Sequence, residues 1–307
     1  MTNSNKFFSL VEALRPNQWI KNLSLFAAAL LNGQLFDPEI LTKSILAFIV
    51  FSLLSSASYL INDAIDAPKD RHHPVKKFRP IARGDISPFT AVLNSLLLLF
   101  IALSIATIVN PSFFYLSLFF ILLQYSYSLF FKKKAILDII GIAFFFIIRA
   151  FAGEVATGFH LPIWIMLTVI FLALFIASGK RRSELYNSGT KSRQSLEKYN
   201  KSLLNFYTSI FAVSTLIAYA MFTFFEEPVR FEGIIHNFLL SNYPNALDRK
   251  WYMVTLIPVI FGIMRYGQII FEMQEGERPE RVIATDLPLL FSVLLWGLMM
   301  MTIIYVL

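Results

Sequence analysis

At 307 residues, the chain is 56% hydrophobic and only 15% charged, where a soluble domain carries about a quarter charged residues, so the composition predicts a membrane protein. It has no cysteine and four histidines, which excludes disulfides, iron–sulfur clusters, Cys-ligated zinc and thiol nucleophiles and argues against a His-rich metal site. The formal charge of +7 invites a nucleic-acid reading, but the charges are distributed as a membrane topology distributes them.

In chain order, the opening stretch MTNSNKFFSLVEALRPNQWIKN lacks the compact apolar core and small-residue cleavage site of a removable signal. Phe7, Phe8, Leu10, Val11 and Leu14 predict a short interfacial helix ending before Pro16. A span needs about 20 mostly apolar residues. Nine segments qualify: 19–36, 40–64, 88–109, 111–131, 135–153, 161–178, 203–224, 251–272 and 287–307, with Asn110-Pro111 as the tight turn between the third and fourth. With the N-terminus inside, 20 of the 27 Lys and Arg fall in loops 1–18, 65–87, 132–134, 179–202 and 273–286. The opposite set holds only Lys43, Arg230, Arg249 and Lys250. This bias predicts a multi-pass protein of the inner (cytoplasmic) membrane with a cytoplasmic N-terminus, and it leaves no excess charge that calls for nucleic acid. No linker or low-complexity segment divides the chain, so residues 1–307 are read as one transmembrane domain with 1–18 as an interfacial segment. The long basic loops 65–87 and 179–202 follow spans two and six and hint at related halves, without a residue-level repeat.

The second span runs into SYLINDAIDAPKDRHHPVKKFRPIARG. At about 100° per residue, Asn62, Asp66, Asp70 and Asp63 fall at roughly 0°, 40°, 80° and 100°, on one helical face. Hard oxygen ligands so placed suit Mg²⁺, which binds through one or two carboxylates together with water and phosphate. Asn62, Asp66 and Asp70 are the candidate ligands, and Asp63 either joins them or orients the metal's water. Pro68 predicts a kink or helix end that places Asp70 less firmly than Asp66. The bland alternative is a solvated terminus whose acids pair with Lys69 and Arg71.

NDAIDAPKD resembles the N-D-x-x-D-x-x-x-D motif of the UbiA superfamily of intramembrane prenyltransferases. LRPNQWIKN (14–22), HPVKKFRPIARG (73–84), SGKRRSEL (178–185), RQSLEKY (193–199), RYGQIIF and ATDLPLL are similar to its decaprenyl-phosphate phosphoribosyltransferase branch. The resemblance implies an all-α bundle around a central cavity open to the cytoplasm and laterally to lipid. It implies transfer of 5-phosphoribose from phosphoribosyl pyrophosphate to a polyprenyl phosphate, with Mg²⁺ as cofactor, in lipid-linked arabinose precursor synthesis. Members that prenylate aromatic rings carry a second aspartate-rich motif in the second long loop; here residues 179–202 contain no Asp. Loops 65–87 and 179–202 are then the catalytic loops, with Asp63, Asp66 and Asp70 as catalytic candidates.

Phosphoribosyl pyrophosphate and a lipid phosphate together carry more negative charge than one metal neutralises, so dispersed cations are needed. Lys21, Arg79, Lys180 and Arg181 are the candidates, with Glu184 as a partner for one of the last two. Lys191, Lys198 and Lys201 fit topology or anionic lipid. Lys21 either contacts phosphate or snorkels to the interface. Arg149, deep in span five, either lines the cavity or shares a face with Asp138, three turns away and out of reach. Tyr127, like Tyr125, orients sugar or phosphate or sits in an interfacial belt. His72 and His73 read as solvated. Arg265 is structural or catalytic, and Asp286 contacts ribose or caps the last helix. The rivals are a UbiA-type prenyltransferase acting on an aromatic acid, a polyprenyl-lipid transporter and a non-catalytic lipid-binding subunit. A homo-oligomer is compatible with the residues, but none of them selects it.

Overall fold

The computed structural model describes residues 3–72, 75–188, 194–227, 234–243, 245 and 249–306, and among them every regular element is helical. The α-helices are α1 (Asn3–Leu14), α2 (Ala27–Leu31), α3 (Pro38–Asp70), α4 (Pro88–Val109), α5 (Pro111–Leu129) and α6 (Leu137–Thr157). They continue with α7 (Ile163–Ser188), α8 (Lys201–Phe225), α9 (Ile234–Asn242), α10 (Leu256–Gln268), α11 (Pro279–Thr285) and α12 (Leu287–Tyr305). Local chemistry sets several starts. Proline stands in the first turn of α3, α4, α5 and α12, and the Asp37, Ser87, Asn110 and Asp286 side chains accept from backbone N–H groups there.

Among the described residues eight helices are long and apolar enough to cross a membrane, not the nine expected. The segment that fails is the first. Residues 19–36 belong to a 3₁₀ stretch, Pro16–Phe26, followed by α2. Asn17, Gln18, Lys21, Asn22 and Ser24 interrupt its apolar pattern, so it is tied into the bundle by polar contacts. Asn22 and Leu25 are fully buried. Gly153 of α6 permits the approach: a Cβ there would lie 2.4 Å from the Leu25 carbonyl oxygen.

Other boundaries also move. α3 continues through Pro68 to Asp70, so the whole acidic motif is helical and the first long loop begins at Arg71. α7 extends to Ser188, placing Lys180 to Glu184 on a helix rather than in a loop. A 3₁₀ turn, Gln194–Lys198, follows within the second loop. The eighth expected span is a 3₁₀ turn (Trp251–Thr255), α10 and a π-helical turn (Ile269–Met273) in succession.

Packing follows the rule for lipid, which gives apolar surfaces no reason to associate, so small residues face inward and large ones outward. On α4, Ala91, Ser95, Ala102 and Ala106 are buried while Phe89, Phe100 and Ile108 are exposed. Ser95 donates to the Ala57 carbonyl of α3 at 2.8 Å. Phe51 of α3 packs between Phe113 and Phe120 of α5, with centroids 5.8 and 4.7 Å away. The α3 and α6 helices thereby present their charged ends at one end of the bundle.

Candidate active site

Helical continuity puts Asn62, Asp63, Asp66 and Asp70 on neighbouring turns, and arginines from two other segments divide them. Arg15 Nη2 lies 2.7 and 2.5 Å from the two carboxylate oxygens of Asp63. Arg79 Nη1 reaches Asp63 Oδ1 at 3.1 Å and Asp70 Oδ2 at 2.6 Å. The carboxylates of Asp63 and Asp70 are nearly buried, at 6% and 7% exposure, while both arginines are 28% exposed. Asp70, expected to bind metal, is therefore held by Arg79, and Asp63 is held by two guanidiniums. Arg79 uses one terminal nitrogen for both acids, which turns its Nε–Nη2 edge, the fork that suits phosphate, away from them.

Asn62 and Asp66 stand apart from this arrangement. Asn62 Nδ2 lies 3.5 Å from Ser58 Oγ, which points the amide oxygen the other way. Asp66 is 37% exposed and its nearest cation is Lys132, 4.0 Å away. Among the described residues no three Asp, Glu or His side chains converge as a metal cage. One amide oxygen and one carboxylate a helical turn apart still fit a hard divalent cation that takes its other oxygens from water and phosphate.

Loop 71–87 is anchored by Arg83, which reaches Asp85 at 2.5 Å, Glu12 of α1 at 2.8 Å and the Phe78 carbonyl at 3.0 Å. The Arg83 and Ser9 hydrogen bonds hold the Asp85 carboxyl below its usual range. Lys21 faces the same end and pairs with Glu280 of α11 at 3.1 Å and with Gln18 Oε1 at 2.5 Å. Burial pushes the Glu280 carboxyl up, but the Lys21 charge and the Gln18 amide outweigh it and the net shift is downward. Lys180 is half-buried on α7, about two turns before its end at Ser188.

Two expected phosphate contacts, Arg181 and Arg149, are corrected, and Tyr127 is drawn to the first of them. Arg181 is fully buried, with Nε 2.9 Å from Asp138, a close contact to Glu184, and Nη2 donating to Tyr127 at 2.9 Å. No face of it is left for a ligand, and Tyr127 is drawn into the same knot, its ring filling the space above Gly141. Arg149 is buried too: Nε donates to Asn22 at 2.7 Å, Nη1 to the Phe145 carbonyl at 2.8 Å and Nη2 to Ser55 at 3.3 Å. It joins the 3₁₀ stretch to α3 and α6 and does not meet Asp138.

The remaining cations sort similarly. Arg182 donates to Asn205 at 2.7 Å and to the Ile270 carbonyl in the π-helical turn at 2.6 Å. Arg265 pairs with Asp286 at 2.7 Å, and Asp286 also caps α12 by accepting from Leu289 N. His72 is exposed against the Pro68 carbonyl, whereas His73, Lys191 and Arg193 lie outside the described residues. Sequence reasoning missed Arg15, whose signal was its place before Pro16 inside LRPNQWIKN. It also missed Tyr199, which donates to Asp138 at 2.7 Å and whose hydroxyl is pushed up by burial and by that carboxylate. Nothing local in the sequence announces that contact.

The UbiA prenyltransferase family matches residues 23–184. The chain is 36% identical over 299 residues to a decaprenyl-phosphate phosphoribosyltransferase of Mycolicibacterium smegmatis, covering 95% of this chain and 91% of that one. It is 32% identical to the Corynebacterium glutamicum protein of the same name, covering 97% and 87%. Its fold matches a UbiA homologue of Archaeoglobus fulgidus bound to GPP and Mg²⁺, with a TM-score of 0.69 at 20% identity over 95% of this chain and 96% of that one. With this full-length likeness and the N-D-x-x-D-x-x-x-D face on α3, the chain belongs to the UbiA prenyltransferase family.

Proposed function

We propose that the chain transfers 5-phosphoribose from phosphoribosyl pyrophosphate to a polyprenyl phosphate, of decaprenyl type, with release of pyrophosphate at the cytoplasmic face of the inner membrane. The observation that carries this reading is the near-complete likeness to enzymes named for decaprenyl phosphate and phosphoribosyl transfer. In the reaction the bond from ribose C1 to the pyrophosphate oxygen breaks, and a bond from C1 to a lipid phosphate oxygen forms. The nucleophile is already an anion, so no strong general base is needed. The protein's work is to hold two mutually repelling anions in line.

Mg²⁺ held by Asn62 and Asp66 would neutralise charge developing on the departing pyrophosphate. Arg79 offers its open guanidinium edge to a phosphate, oriented by Asp63 and Asp70. Lys21 and Lys180 supply point charges at the same end. Prenyl transfer to an aromatic acceptor is the second reading. Against it stand the absence of Asp from residues 179–202 and the engagement of Glu184 by Arg181. A transporter would need its charges nearer mid-membrane, where Arg149 is already enclosed by protein partners.

The deciding assay incubates purified protein with ribose-labelled phosphoribosyl pyrophosphate, polyprenyl phosphate and Mg²⁺. Label passes into the lipid fraction, and Asp66→Ala slows the passage about 10²–10³-fold. Label that stays in water, while a prenyl diphosphate is consumed with an aromatic acid, overturns the reading in favour of the second.

A further inference from the structure

We propose that Arg15 is a positioning residue that keeps Asp63 out of the metal's coordination shell and keeps Arg79 turned toward phosphate. The proposal rests on Asn62 and Asp66 being the metal ligands. Asp63 immediately follows Asn62 and shares its helical face, so an unpaired carboxylate there would compete strongly for a hard cation. Coordination by Asp63 would add negative charge to the site and take a position that donor oxygens need.

The structure blocks this from outside the helix. A single Arg15 nitrogen lies within 2.7 Å of both Asp63 oxygens, and Arg79 adds a third contact at 3.1 Å. Arg15 is also held in place. Its backbone is left-handed, with φ 54° and ψ 60°, a conformation that L residues other than glycine rarely adopt. The adjoining Leu14 carbonyl accepts from Ser56 Oγ at 2.8 Å, and Ser56 accepts in turn from Trp19 Nε1 at 3.0 Å. The guanidinium sits 5.0 Å from the Tyr59 ring centroid. Ser56 and Tyr59 lie on α3 within two turns of Asp63, so the helix that carries the acid also fixes the arginine that covers it.

Charge follows the same division. Arg15, Arg79, Asp63 and Asp70 form a formally neutral set, which leaves Asp66 as the acid of the motif that no arginine holds, with Lys132 4.0 Å away. An arriving pyrophosphate then meets a cation held by one carboxylate, flanked by the Arg79 guanidinium, whose Nε–Nη2 edge lies opposite the nitrogen that holds Asp63 and Asp70.

The test titrates Mn²⁺ into detergent-solubilised protein without donor, reading bound metal by electron paramagnetic resonance, and measures the donor KM separately. In Arg15→Gln, Asp63 keeps only its longer 3.1 Å contact to Arg79 and is free to turn toward the metal, and Mn²⁺ binds roughly threefold to tenfold tighter because affinity follows ligand charge. The donor KM rises about tenfold as Arg79 loses its alignment, while kcat changes less. Arg15→Lys restores part of the KM. The double variant Arg15→Gln/Asp63→Asn loses the added metal affinity. Should Arg15→Gln fail to fold, Asp63→Asn alone decides the matter: Mn²⁺ affinity stays at the wild-type value while the donor KM rises. Weaker Mn²⁺ binding in Asp63→Asn makes Asp63 a ligand and overturns the proposal, as does unchanged metal affinity in a folded Arg15→Gln. Wild-type protein that binds no Mn²⁺ overturns the assignment of Asn62 and Asp66 itself, and the role of Arg15 falls with it.

Discussion

Asp63 and Asp138 are both buried aspartates held by arginine at the charged end of the bundle, yet their surroundings differ. Asp63 answers to two arginines that remain 28% exposed. Asp138 meets Arg181 with both side chains at zero exposure, and Ser195 at 2.8 Å and Tyr199 at 2.7 Å complete its shell. The same ion-pair chemistry does two jobs, and solvent access decides which. A half-exposed guanidinium keeps donors for an incoming phosphate. A sealed one can only fix the helices that seal it, here α5, α6, α7 and the turn after α7.

The severest way to break this comparison is Asp138→Ala, which leaves the buried Arg181 with Glu184 as its one remaining carboxylate partner and takes the acceptor from Ser195 and Tyr199. The loss should be about 3–5 kcal/mol, seen as a lower melting temperature in detergent. Melting that matches wild type would remove the structural role assigned to the sealed cluster. Asp66→Ala should act in the opposite sense, lowering turnover about 10²–10³-fold with little change in melting. If it unfolds the protein instead, the open end of α3 is a stability element and the contrast fails.

Finer tests sharpen the division. Tyr199→Phe removes one hydrogen bond from Asp138 and should lower stability by about 1 kcal/mol while leaving transfer near the wild-type rate. A large rate loss at unchanged melting would bring the sealed cluster into the chemistry. The smallest expected effect is at Glu280, whose carboxyl is held low by Lys21 and Gln18 despite its burial. Its contribution is complete above the ordinary carboxylate range and is lost as pH falls through the lowered value. Acid melting curves of Glu280→Gln should therefore lie flatter below about pH 4, by less than about 1 kcal/mol. Superimposable curves would show that the contact with Lys21 contributes nothing.

Hydropathy made the later spans legible, because lipid demands long apolar runs, and the one-face spacing of Asn62, Asp66 and Asp70 made the acidic face legible as well. What stayed hidden depends on partners distant in the chain. Arg181 reads as a loop cation until Asp138, Tyr127 and Glu184 enclose it. Arg149 reads as a cavity residue until Asn22, 127 positions earlier, reaches it. The first segment reads as a lipid span by its aromatic and aliphatic residues, while its Asn, Gln and Lys are matched by polar groups of neighbouring elements. Residue type announced charge, and only the packing separated the cations that open to solvent from those that do not.

The unbroken course of α3 has a consequence for where the lipid reactant works. Its 33 residues extend about 50 Å at 1.5 Å each, against a hydrocarbon layer of about 30 Å and about 40–45 Å with headgroups. If Pro38 lies at the far hydrocarbon edge, Asn62 stands roughly 36 Å along the axis, at the outer limit of the near headgroups, and Asp66 roughly 42 Å along it, a few Å into the water beyond. A phospholipid's own phosphate rests within a few Å of the Asn62 level. In the proposed reaction, the isoprenoid carrier would then present its oxygen at the headgroup surface by diffusing sideways in the leaflet, and the sugar donor would meet it there without descending into oil.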